Sequence, residues 1–222
     1  MGIFNWRKKS EIEPIREVVP MKMTKKNIND FFVAIRNHKN ADVLNFINSN
    51  SEFIKVVRPG LPKKDCGQTG LQVALKVGNF KIAEELIKQG ADVNHIADKS
   101  DEWNLPVLHS SIIATFYQTN TISDELEQFE TAFRILNLML EKGADVNGID
   151  SYGNSSLMRA LLDSKKFIDH PNFNENLKTL EQSRRIFKLL IDFGADIDYS
   201  NDNRPKLTER IKDFGMEKYK LI

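Results

Sequence analysis

An intrachain disulfide is closed to this protein, because Cys66 is its one cysteine among 222 residues. An oxidising compartment is therefore not implied, and the usual cysteine-based zinc sets are excluded. Histidine is scarce as well: His38, His95, His109 and His170 are the full set, and no two have metal-ligand spacing. Neither a glycine-rich phosphate loop nor a zinc-protease helix motif occurs. An excess of one charge is also missing. With 32 basic against 31 acidic residues, no global field draws the chain to nucleic acid or membrane. Arg7, Lys8, Lys9, Lys25 and Lys26 are few and lie in the tail, so nucleic-acid binding lacks support. No apolar run is long enough to span a bilayer. At the N-terminus Ile3, Phe4 and Trp6 precede the basic cluster, the reverse of a secretory signal, and position 6 lacks the Ser or Thr of a myristoylation pattern. Weak contact with a membrane surface is the most this tail offers. Residues 1–26 are expected to be a poorly ordered tail, and the protein to be cytoplasmic and free of cofactors and metals.

What the chain does have is a repeat. Gly90-Ala91-Asp92-Val93-Asn94, Gly143-Ala144-Asp145-Val146-Asn147 and Gly194-Ala195-Asp196-Ile197-Asp198 each close an apolar helical stretch. Glycine just past a helix accepts positive φ, and the Asp side chain can bond nearby amides to steady the turn. The glycines are 53 and 51 residues apart, and regular recurrence decides architecture before any local feature does.

Read backwards from Gly90, the residues Gly67, Thr69, Leu71, Ala74, Gly78, Ile82, Leu86, Gly90, Ala91, Asp92 and Asn94 resemble an ankyrin repeat in unbroken register. Thr69 falls at the N-cap of a first helix. Gly70 stands where the family has Pro, and Gln72 where it has His; both weaken helix initiation. Pro106-Val107-Leu108-His109 is similar to the helix start with one residue added, and Ser155 takes the capping place of Thr. The two later copies are overlong by roughly 17 residues against a period of about 33, with the excess between the two helices. The resemblance implies an all-α ankyrin-repeat solenoid over 27–222. It would have about five units (27–50, 64–96, 97–149, 150–199 and a cap at 200–222), degenerate ends and two interhelical insertions.

The resemblance also implies residue roles. Gly90, Asp92, Asn94, Gly143, Asp145, Asn147, Gly194 and Asp196 are structural, as is His109, whose ring would hydrogen-bond neighbouring turns. The binding candidates lie on the fingers and first helices. The long finger carries His95, Asp98, Asp101, Glu102, Trp103 and Asn104; the next has Ser151 and Tyr152, and Lys76 ends a first helix. An exposed Trp amid polar residues suits an interface anchor, though packing onto a neighbouring finger is an equal reading. The first insertion, Gln118–Glu130, holds Asp124, Glu125, Glu127 and Glu130 and no basic residue. Such a field would speed association with a basic partner, although solubility of a helix end explains it as well. In the second, 163–183, Phe167, Ile168 and Phe173 are expected to pack down.

The function expected is non-catalytic protein binding by a monomer. Its most specific form is a cytosolic immunity protein of the bacterial insertion-bearing kind, blocking a cognate and possibly basic toxin. A scaffold or effector with another partner, and an enzyme using insertion residues, remain the alternatives.

Overall fold

A computed structural model describes residues 20–60, 65–97, 104–117, 126–170 and 177–222. Most of the expected tail, residues 1–19, lies outside them. Ten α-helices occur among the described residues. They are α1 (Lys25–Arg36), α2 (Asn40–Ser49), α3 (Glu52–Lys55), α4 (Gly70–Lys76), α5 (Phe80–Lys88), α6 (Val107–Tyr117), α7 (Leu126–Glu141), α8 (Ser156–Ile168), α9 (Leu177–Asp192) and α10 (Leu207–Asp213). A 3-10 helix, Glu217–Tyr219, follows. Helices pair in sequence as α1 with α2, α4 with α5, α6 with α7 and α8 with α9. The first members pack side by side in an inner row, α1-α4-α6-α8-α10, and the second members in an outer row, α2-α5-α7-α9. Between the rows lies one continuous apolar core, from Phe31 and Phe53 through Leu75, Leu86, Phe116 and Phe129 to Phe187 and Leu221.

Local chemistry sets the helix ends. Thr69 accepts a hydrogen bond from Gln72 N at 3.3 Å and Ser155 one from Met158 N at 3.3 Å, the N-caps their types favour. At the C-terminal ends Gly90, Gly143 and Gly194 have φ of 89°, 85° and 89°. The following alanine amides reach back to Leu86 O, Met139 O and Leu190 O, which satisfies carbonyls the helices leave open. Gly70 has a different reason. A Cβ there would stand 3.0 Å from the Phe31 ring, so α1 packs closer to α4 than a proline would permit.

The conserved shape of the three turns is tied from unit to unit by one side chain. Asn94 accepts from Asp145 N at 2.7 Å and donates through Nδ2 to Gly143 O at 3.0 Å. Asn147 does the same to Asp196 N and Gly194 O, at 2.9 and 3.1 Å. Inside each turn Asp92, Asp145 and Asp196 accept the amide two residues on, at 2.8 to 2.9 Å. The third copy ends in Asp198, a carboxylate that cannot donate; it pairs with Lys206 Nζ at 3.1 Å. The row of turns stops where the amide is replaced.

The long finger is a hairpin: β1 (Ile96–Ala97) pairs antiparallel with β2 (Leu105–Pro106). Val107 N donates to His95 O, so Ile96 and Pro106 are a non-hydrogen-bonded pair and the proline's missing N–H costs the ladder nothing. The helices α6 to α9 run 11, 16, 13 and 16 residues against 7 and 9 for α4 and α5. Residues 163–168 and 177–183 are helical turns of α8 and α9. Phe167 and Ile168 pack against the core, and the Phe167 ring lies 6.1 Å from that of Phe116. Phe173 lies outside the described residues.

The amide tie yields a direct prediction. Asn147→Asp keeps an acceptor for Asp196 N but loses the donor to Gly194 O and places a charge against that carbonyl. It should lower the urea-unfolding free energy by about 1–2 kcal/mol, whereas Asp198→Asn should cost nothing comparable. Equal effects at the two positions would refute the tie.

Candidate functional site on the fingers and inner helices

The sequence candidates fall into three groups. Asp98, Asp101, Glu102, Trp103, Asp124 and Glu125 lie outside the described residues. His95, Asn104, Ser151 and Lys76 have partners within the chain. His95 Nε2 donates to Gly67 O at 2.8 Å, and Asn201 Nδ2 donates to Gly153 O at 2.9 Å, so each finger holds the glycine carbonyl of the finger before it. Asn104 and Ser151 bracket each other: Ser151 N donates to Asn104 O at 3.1 Å, and Asn104 N to Ser151 Oγ at 3.0 Å. Lys76 Nζ stands 3.6 Å from buried Asp65, which also takes a two-pronged bond from Arg36. Glu127 is exposed on α7 in the outer row. Glu130, counted above among free acids, is paired with Arg185 of α9, at 2.5 and 2.9 Å, and that guanidinium holds its carboxyl below the usual range.

Tyr152 is the candidate that faces open space, at 56% exposure. It stands at the mouth of a cleft of about 460 Å³ lined also by Asn154, Arg159, Leu162, Lys165, Lys166 and Asp169. Periodicity explains the lining: residues 159, 162, 165, 166 and 169 share one face of α8. Beneath them Asp163 is fully buried and accepts from Arg159 Nε and Nη2 at 2.9 and 2.6 Å. Lys166 Nζ lies 3.7 Å away, and the Tyr117 hydroxyl also bonds it. Burial pushes the Asp163 carboxyl above the usual range, against the pull of Arg159. By position Lys165 and Lys166 fall in the second insertion and Arg159 in the helix before it. Their i, i+3 and i+4 spacing within a helix is the signal that could have grouped them.

His109 is fully buried, and its Nε2 donates to Gly148 O at 3.1 Å. Gln72, in the corresponding place, donates through Nε2 to Leu105 O at 2.9 Å. The departure from His thus keeps the bond to the next finger; the expectation that it merely weakens helix initiation misses this. Among the described residues His109 Nδ1 has no hydrogen-bond partner. The extra residue in the helix start puts Pro106 in the capping slot that Thr69 fills one unit earlier, and proline offers neither hydroxyl nor N–H. Burial, opposed by the charge of Asp150 and reinforced by that of Arg159, brings the His109 pKa down to about 4.

Paired helices in two rows, joined finger to finger, define a helical repeat protein of the solenoid class. Residues 66–99 match the family model "Ankyrin repeat". Two ankyrin repeat proteins of Acanthamoeba polyphaga mimivirus are similar to it. One is 26% identical over 125 residues, which is 56% of this chain and 16% of the relative. The other is 32% identical over 125 residues, 55% of this chain and 57% of the relative. The chain thus spans little more than half of one relative's length and a small part of the other's. Among the described residues no helix is long and apolar enough to cross a membrane, and no group of three His, Cys, Asp or Glu could hold a metal.

The buried histidine sets a pH dependence. Its folded pKa is below the unfolded value near 6.5, so its stabilising share is complete above pH 6.5 and is lost as pH falls toward about 4. The loss reaches about 3 kcal/mol. His109→Gln, the residue the preceding unit uses, should leave neutral-pH stability within about 1 kcal/mol and flatten this slope. Parallel pH profiles for both proteins would exclude a neutral buried His109. Pro106→Thr should restore the cap and give Nδ1 a partner, raising unfolding free energy by about 1 kcal/mol; a lower melting temperature would contradict that account.

Proposed function

We propose that this chain is a non-catalytic protein-binding module whose contact face is the inner helices together with the fingers. The observation that carries the reading is the α8 cleft beside Tyr152. There an exposed aromatic ring on a finger meets an open concavity lined by polar and charged side chains of α8. Aromatic side chains at the rim of a preformed concavity are efficient anchors, because they bury much area for little lost rotamer freedom. The outer row, by contrast, offers solvated pairs such as Lys188 with Asp192, at 2.8 Å, which suit a back surface. The division into five units, with insertions lengthening the third and fourth, fits the helix pairs and the long α6 to α9.

A narrower reading is an immunity role against a basic toxin. It rests on the acidic residues Asp98, Asp101, Glu102, Asp124 and Glu125 alone. The pairing of Glu130 with Arg185 removes one acid from that field, and the relatives' names add nothing to it. Charge reversal at Asp101 and Glu102 with Trp103→Ala tests it: unchanged affinity for a captured basic partner removes the idea.

The module reading is tested by site-specific crosslinking. A photoreactive amino acid at position 152 should trap a protein in cells that make this chain, and the same group at position 188 on α9 should not. Equal trapping at both positions, or trapping at 188 alone, would place the interface elsewhere.

A further inference from the structure

We infer, on the basis of the module reading above, that the α8 cleft takes an acidic segment of the partner protein. The charge around it is lopsided among the described residues. Arg159, Lys165 and Lys166 line or overhang the cleft, and Arg204 bonds Asn154 in its wall. Against these four cations stand three carboxylates: buried Asp163, buried Asp150, which Asn154 bonds through its amide, and exposed Asp169. Two of the three carboxylates are buried whereas Lys166 is exposed, so the charge presented to solvent there is mainly positive. The cations are also held in place. Lys166 Nζ sits 5.3 Å from the centre of the Tyr117 ring, Lys165 Nζ 5.0 Å from that of Phe214, and Asp163 grips Arg159 by two nitrogens. Lys165 is paired with Asp169 at 2.6 Å, but Asp169 is solvated, and an exposed pair of this kind yields to a competing carboxylate. Tyr152 and Leu162 supply apolar surface between the charges. An extended chain of Asp and Glu interleaved with apolar residues matches both properties, and a basic segment would meet like charge.

The test uses two short labelled peptides, one of Glu and Asp interleaved with Leu, the other with Lys and Arg in place of the acids. Fluorescence anisotropy with the full chain should show binding of the acidic peptide, weakening as salt rises, and none of the basic one. Lys165→Glu with Lys166→Glu should weaken it by at least about tenfold, and the milder pair Lys165→Gln with Lys166→Gln by less, with helical content unchanged. Tyr152→Ala should also weaken it. Preference for the basic peptide, or indifference to the lysine changes, overturns the inference. Phosphatidylserine vesicles competing through the same lysines would overturn it too, by making the cleft a membrane contact. If neither peptide binds while crosslinking from position 152 still traps a protein, the charge assignment fails and the module stands. If crosslinking fails as well, both fall.

Discussion

One side-chain amide in each of the first two turns ties a unit to the next. A helix end leaves carbonyls and amides open, and the turn after it exposes more. Asn94 and Asn147 answer one donor and one acceptor of the next turn simultaneously, which the amide does with two separate atoms and a carboxylate cannot do. The bond fixes distance and rotation between consecutive units, so the inner helices line up by consequence. Asp198 has the same length and the wrong chemistry to continue, and the chain turns to α10 instead of another pair. Arg184 then holds the last turn by donating to the carbonyls of Tyr219 and Lys220.

The outer row adds a second, weaker set of ties. Arg134 of α7 reaches Glu84 of α5 at 2.7 Å, and Arg185 of α9 reaches Glu130 of α7. Hydrogen bonding to Arg134 and Lys88 brings the Glu84 pKa down to about 2, so this tie holds at neutral pH and is lost as pH falls from 4.5 through 2. Arg185 also lies over the rings of Phe129 and Phe133, at 5.0 and 4.6 Å, covering apolar surface with its guanidinium. Solvated pairs contribute little to stability. Their role is registry: both join equivalent helices of neighbouring units, in step with the amide ties on the turns.

Local signals were legible in the sequence and long-range partners were not. Thr69 and Ser155 cap as their types demand, and the glycine turns sit where the motif puts them, because these bonds close within five residues. The role of Gln72 was misjudged because its partner, Leu105 O, is 33 residues away. Glu130 read as free acidity for the same reason, since Arg185 lies 55 residues on. Lys76 looked available for a partner and is turned toward Asp65. In each case charge or hydrogen-bonding capacity was visible, but only the stacking of units decided how much of it remained for something else. The cleft on α8 was hidden differently. Its residues were divided among a helix and an insertion, and one continuous helix brings them to one face.

The floor of that cleft is where the chain departs from ordinary core rules. A buried carboxylate bound by an arginine is weak ground for stability; apolar residues of similar volume would serve a core as well or better. Asp163 nevertheless lies fully buried between α6 and α8, holding Arg159 and drawing Lys166 toward it. Departures from local rules collect where a protein does something besides fold. What this arrangement gains is orientation: a guanidinium fixed by two bonds loses little entropy when a ligand meets its neighbours. On α8 the bonds from Asp163 and the rings of Tyr117 and Phe214 hold three cations beside an exposed tyrosine.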